Sequence, residues 1–155
     1  MGAVEDRLRG LGIELPSKVG RGDGRVPVVR EGNLLFVGGH GPSDNDGKLL
    51  YRGRVGAEVS LEDGYRAARQ TGVQLLRSVR DHTGDLDRVE RIVKVLGFVN
   101  SDDDFHDQPK VIDGFSDLMV EVFGAERGRH ARSAIGTSNL PDNQPVEIEM
   151  IVAVR

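Results

Sequence analysis

Residues 129–155 read RHARSAIGTSNLPDNQPVEIEMIVAVR, and their pattern decides the architecture. Two apolar-rich runs, 131–137 and 146–154, flank a link rich in Pro, Asn and Asp. That is how two strands and a turn-forming connection are written. In the second run Val146, Ile148, Met150, Val152 and Val154 fall on one face, and Glu147, Glu149, Ile151 and Ala153 on the other. One face is wholly apolar and the other carries two carboxylates. Removing a carboxylate from water is costly unless it is paired or used in chemistry. Arg132 lies in the partner run. It is therefore either half of an ion pair with Glu147 or Glu149, or an anion-binding group beside an acid/base carboxylate.

Toward the N-terminus, 91–100 is the most strand-like run, with Ile92, Leu96 and Phe98 alternating against Val93, Val95 and Val99. Ser60 with Asp63 opens a helix whose stripe is Leu61, Tyr65, Ala68, Gly72, Leu75, Leu76 and Val79. Arg66, Arg69, Gln70, Arg77 and Arg80 lie largely off that stripe, and Thr83-Gly84 ends the helix. Ser101 with Asp104 repeats the opening signal and predicts a second helix to about Phe123, buried through Ile112, Phe115, Leu118, Met119 and Val122. Residues 25–30 and 33–38 read as a hairpin around Glu31-Gly32-Asn33. Val4, Leu8 and Leu11 recur at helical spacing, so 2–11 reads as a short helix, followed by a flexible Gly-Arg-Gly-Asp-Gly link at 20–24. The expectation is an α+β fold in the order β-β-α-β-α-β-β, with two helices packed on one face of the sheet. Residues 1–24 form the leading helix and linker, and 25–155 the domain. A strand apolar on both faces with helices for only one calls for self-association.

The chain has 155 residues, enough for one domain, with 30% charged and 37% apolar residues, ordinary for a globular protein. Its net charge of -4 lacks the basic stripe that nucleic-acid binding requires. No cysteine is present, so neither disulfides nor thiolate chemistry enter. Nothing resembles a signal peptide or a membrane span, which makes a cytoplasmic location the expectation. The run Asp102-Asp103-Asp104-Phe105-His106-Asp107 has metal-ligand composition, but it reads as a helix N-terminus, where carboxylates meet the dipole favourably. Neither metal nor cofactor is expected.

The spacing of Ala131-Arg132-Ser133, Leu140-Pro141 and Glu147-Ile148-Glu149 resembles the C-terminal signature of the YjgF/RidA family, also called endoribonuclease L-PSP-like. Gly32 to Pro42 resembles that family's strand leading into a Gly site loop, and the resemblance extends over 25–155. It implies a chorismate-mutase-like mixed sheet, assembled as a homotrimer with ligand sites in the clefts between subunits. It further implies hydrolysis of 2-imino or 2-enamino acids to 2-keto acids and ammonia. Arg132 would clamp the substrate carboxylate, which a planar guanidinium suits. Glu147 would activate water and would need partial desolvation to work as a base near neutral pH. Gly38, Gly39 and His40 would line the substrate site through exposed backbone and a titratable ring. Glu149 reads as an interface carboxylate, and His130 as a second histidine flanking a matched motif. Three departures accompany the resemblance. The family's imine deaminases carry a Tyr in the first strand and an Asn in the second helix, whereas 25–28 holds no Tyr and 104–123 no Asn. An insertion lengthens the link 124–130. The alternative function is a trimer that binds small carboxylates without turning them over. Endoribonuclease activity fits the acidic charge less well.

Overall fold

The computed structural model describes residues 2–16 and 24–155. Its elements are α1 (Ala3–Gly10), β1 (Val28–Glu31), β2 (Leu34–His40), α2 (Leu61–Thr83), β3 (Val89–Asn100), α3 (Gln108–Gly128), β4 (Ala131–Thr137) and β5 (Val146–Val154). The strands form one five-stranded sheet in the order β1-β2-β5-β3-β4. Only β3 and β4 run parallel, so the sheet is mixed. The predicted α+β order holds. Most of the linker at 20–24 lies outside the described residues.

Helices α2 and α3 pack side by side on one face. A Cβ on Gly72 would come within 2.8 Å of Leu118, and one on Gly114 would collide with the Tyr65 carbonyl. Two glycines thus set how close the helices lie. Beneath them Val146, Ile148, Met150, Val152 and Val154 are all buried, as the alternation of β5 required. On the outer rim Arg69 grips Glu121 through two hydrogen bonds of 3.2 and 2.6 Å. Helix α1 inserts Val4 and Leu8 into the same core.

Ser60 caps α2 as expected, its Oγ accepting the Asp63 N–H at 3.0 Å, and Gly84 ends it. Four other expectations need correction. Helix α3 starts at Gln108 rather than Ser101. Pro109 is the reason: deep inside a helix it would clash with the preceding turn, but in the first turn it costs nothing. The Ser101 hydroxyl donates to Val99 O instead, and Asp102 pairs with Arg54 at 3.1 Å. The supposed link at 124–130 is largely helix. It continues to Gly128 across a kink at Gly124, whose φ of 80° only glycine adopts easily. Arg77 is buried rather than on the polar face. Finally, a register shift between Ile92 and Lys94 changes the phase of β3. Ile92 joins Val95 and Val99 in the core, while Leu96 and Phe98 stay half-buried on the opposite face.

That opposite face has no covering element among the described residues. Val29, Phe36 and Ile135 stand 53%, 44% and 46% exposed there, in company with Leu96, Phe98 and Ile151.

Candidate functional site

Two constellations stand on opposite sides of the sheet. The first is at the edge strand. Arg132 pairs with Val95, a core residue, so its side chain turns to the helix side of β4. There Nη1 donates to Asp113 Oδ1 at 2.8 Å and to Ser116 Oγ at 3.1 Å, both on α3. The arginine side chain is 21% exposed and that of Asp113 48%. Arg132 thus pairs with Asp113, and not with Glu147 or Glu149, the partners that the ion-pair alternative named. Parity explains why: both glutamates sit on the other face. Nε and Nη2 of Arg132 bond nothing among the described residues.

Ser116 is held from behind. His130 Nε2 lies 2.9 Å from Ser116 Oγ, and Nδ1 lies 2.7 Å from Gly128 O. A carbonyl can only accept, so Nδ1 carries the proton and the neutral ring accepts the serine O–H at Nε2. Burial pushes the His130 pKa down; the Gly128 hydrogen bond opposes this and the Arg132 charge reinforces it. The hydrogen bonds run Arg132 to Ser116 to His130 to Gly128.

The second constellation is on the uncovered face. Gln144 Nε2 donates to Glu147 Oε1 at 3.1 Å. Gln144 is positioned by the link before β5, where Asp142 and Asn143 both take a φ of 56°, unusual for non-glycine residues. Asn143 O accepts the Gly53 N–H at 2.8 Å, and Asn100 Nδ2 donates to Gln144 O at 3.2 Å. Facing them, a Cβ on Gly39 would lie 2.9 Å from Glu147 Cδ, and one on Gly41 would collide with Gln144 Oε1. The glycines make room for the glutamate and the glutamine. Gly38 is different: only Pro27 O lies near its Cβ position, at 3.9 Å.

His40 is not with this group. β2 shifts register between Val37 and His40. The bulge reverses the alternation and drives His40 into the core, where Nδ1 lies 2.7 Å from Gly38 O and Nε2 2.7 Å from Ser78 Oγ. Within one chain its imidazole holds the bulge and does not face Glu147. Glu149 is exposed and lines a shallow depression with Phe36, Leu96 and Lys94. Among the described residues no cluster of three or more His, Cys, Asp or Glu is placed to hold a metal, and no helix is long and apolar enough to cross a membrane.

The model of a family described as "YjgF/chorismate_mutase-like, putative endoribonuclease" matches residues 5–152. The chain belongs to the YjgF family. It is 40% identical to Protein TCP17 of Trypanosoma cruzi over 97% of this chain and 94% of that one. It is equally similar, at 40% identity and a TM-score of 0.88, to the crystal structure of Atu1372 from Agrobacterium tumefaciens, a protein of unknown function, covering 97% and 91% of the two chains. A structure described as a putative endoribonuclease from Shewanella oneidensis matches at 30% identity and a TM-score of 0.92, over 99% and 100% of the chains.

Against the YjgF pattern, no other tyrosine takes the place of the one missing from the first strand. Tyr65 donates to Asp117 at 2.7 Å on the outer face, and that bond pushes its pKa up to about 12. Tyr51 packs against the core. Asp113, Ser116 and Gln144 are site neighbours that sequence reading missed. The two α3 residues belong to the polar side of an amphipathic helix, and Gln144 to a link, so no periodicity marks them.

Proposed function

We propose that this protein hydrolyses 2-imino or 2-enamino acids to 2-keto acids and ammonia, in clefts between the subunits of a homotrimer. One observation carries the reading. Arg132 offers unbonded Nε and Nη2 donors on the helix side of the edge strand, and Glu147 offers a half-buried carboxylate on the opposite face, with β3 between them. A single chain cannot close one pocket around both. Two copies can, with the edge of one meeting the uncovered face of another.

In that cleft the substrate carboxylate takes the planar guanidinium fork of Arg132. Glu147, held by Gln144, accepts a proton from water as the oxygen attacks the imine carbon. Returning that proton to nitrogen gives the carbinolamine, and transfer of its hydroxyl proton to the nitrogen as the carbon–nitrogen bond breaks releases ammonia and leaves the keto acid. The absence of Tyr from 25–28 and of Asn from α3 supports a second reading, a trimer that holds small carboxylates without turnover. RNA cleavage is the weaker reading for a chain of net charge -4. A cytoplasmic location accords with either of the first two.

Ammonia release from imines generated by an amino-acid oxidase tests the proposal. Glu147→Gln should keep carboxylate binding and lose about 10²–10⁴-fold in kcat. Equal rates for the variant and wild type would remove Glu147 from the mechanism. Binding without turnover in the wild type would establish the second reading.

A further inference from the structure

We infer that Asp113 is an internal stand-in for the ligand carboxylate: it pairs with Arg132, and ligand binding displaces it. The inference rests on the reading of Arg132 as the carboxylate anchor. The Nη1–Oδ1 contact of 2.8 Å is what a bound carboxylate would make, but it uses one nitrogen only. The pair is monodentate, the weaker of the two geometries available to a guanidinium. No second hydrogen bond holds the Asp113 carboxylate among the described residues. Its side chain is 48% exposed, whereas that of Arg132 is 21% exposed. The aspartate therefore swings into water at little cost, while the arginine stays.

Ser116 keeps Arg132 aimed when Asp113 leaves. Its oxygen accepts from the same Nη1 at 3.1 Å, and its proton is committed to His130 Nε2 at 2.9 Å. His130 is anchored in turn to Gly128 O at 2.7 Å. A neutral oxygen orients the guanidinium without competing for its charge. A ligand carboxylate can then bind bidentately across Nη1 and Nη2, which requires Asp113 to leave Nη1, and gain more than the aspartate gives up. Asp113 also compensates the arginine charge, which favours carboxylates, able to outbid an aspartate, over neutral ligands.

Removing a competitor worth what a partly exposed ion pair is worth should tighten binding by about two- to five-fold. The test is calorimetry with pyruvate on wild type, Asp113→Asn, Asp117→Asn and Arg132→Ala, each checked for folding by thermal unfolding. Asp113→Asn should bind more tightly than wild type. Asp117→Asn, which deletes the same charge one helical turn away, should not, because Asp117 is engaged by Tyr65. Equal tightening in both variants would reduce the effect to net charge and overturn the inference. So would loss of binding in Arg132→Ala with no gain in Asp113→Asn, leaving the anchor reading intact. Unchanged binding in Arg132→Ala would sink the anchor reading itself. Should wild type fail to bind, binding by Asp113→Asn alone supports displacement, and binding by neither overturns it.

Discussion

Adding one methyl group to either of two adjacent glycines should have opposite consequences. A Cβ at Gly39 lies 2.9 Å from Glu147 Cδ, 3.0 Å from Oε2 and 3.1 Å from Cγ. Carbon atoms rest in contact at about 3.5–4.0 Å. The carboxylate must therefore retreat by about half an ångström or more. Its 3.1 Å bond from Gln144 then stretches toward the limit of a hydrogen bond. The obstacle is the end of a flexible, half-buried side chain, so the fold survives with a loss on the order of 1 kcal/mol, the usual worth of one such bond. Chemistry is less forgiving, since a misplacement of about 1 Å can cost about 10²-fold in rate. At Gly38 the only neighbour is Pro27 O at 3.9 Å. Alanine there should stabilise the folded subunit by about 0.4–1 kcal/mol through the unfolded chain. Both substitutions restrict the unfolded chain equally, so the difference between them isolates the contact with Glu147. Thermal unfolding resolves it, because each kcal/mol moves Tm by about 2–4 °C at this length, and ammonia release measures the catalytic part. If Gly39→Ala matches Gly38→Ala in both measurements, Glu147 is not held against β2 as described.

The burial pattern leads to two further outcomes. Because burial lowers the His130 pKa below its ordinary 6.5, the unfolded chain takes up the proton first on acidification. Its contribution to stability is full above about pH 6.5 and is lost as pH falls toward the folded value. Denaturant unfolding at pH 7.5 and pH 5 should show a smaller acid loss for His130→Gln than for wild type, and equal losses would contradict the buried neutral imidazole. Phe36→Asp places a charge at a position 44% exposed on the uncovered face. The variant should fold yet shift light scattering from trimer toward monomer, and a wild type that is monomeric at micromolar concentration would end the trimer proposal.

The fold was legible because its strongest signals are periodic. Five apolar residues on one face of β5 and the stripe on α2 needed no tertiary knowledge to place. The failures occur where periodicity is interrupted. A strict alternation puts Ile92 with Leu96, but the shift at Ile92–Lys94 moves it to the other side of the sheet. The shift at Val37–His40 likewise turns His40 from the loop into the core. Bulges cost one residue and leave little trace in composition, yet each reverses the facing of the residues beyond it. The start of α3 is displaced for a different reason. Ser101 and Asp104 carry a capping pattern, but Pro109 fixes the first turn more firmly than the cap does.

The sequence names candidate residues for the site but not the face of the sheet that each one takes. Arg132 and Glu147 belong to one motif, and motif spacing invites the picture of two side chains meeting in one pocket. Parity forbids it. Arg132 shares its side of the sheet with Val95, and Glu147 lies opposite Phe98 on the other side. What each meets within its own chain is a support: Asp113 and Ser116 for the arginine, Gln144 and the Gly39 gap for the glutamate. On the proposed reading each constellation is one half of the site. The exposed apolar residues Phe36 and Ile135 stand on the same face as the glutamate. Burying that face against a neighbouring copy would shield apolar surface and complete the chemistry in one step. This is why the proposed activity depends on the proposed assembly.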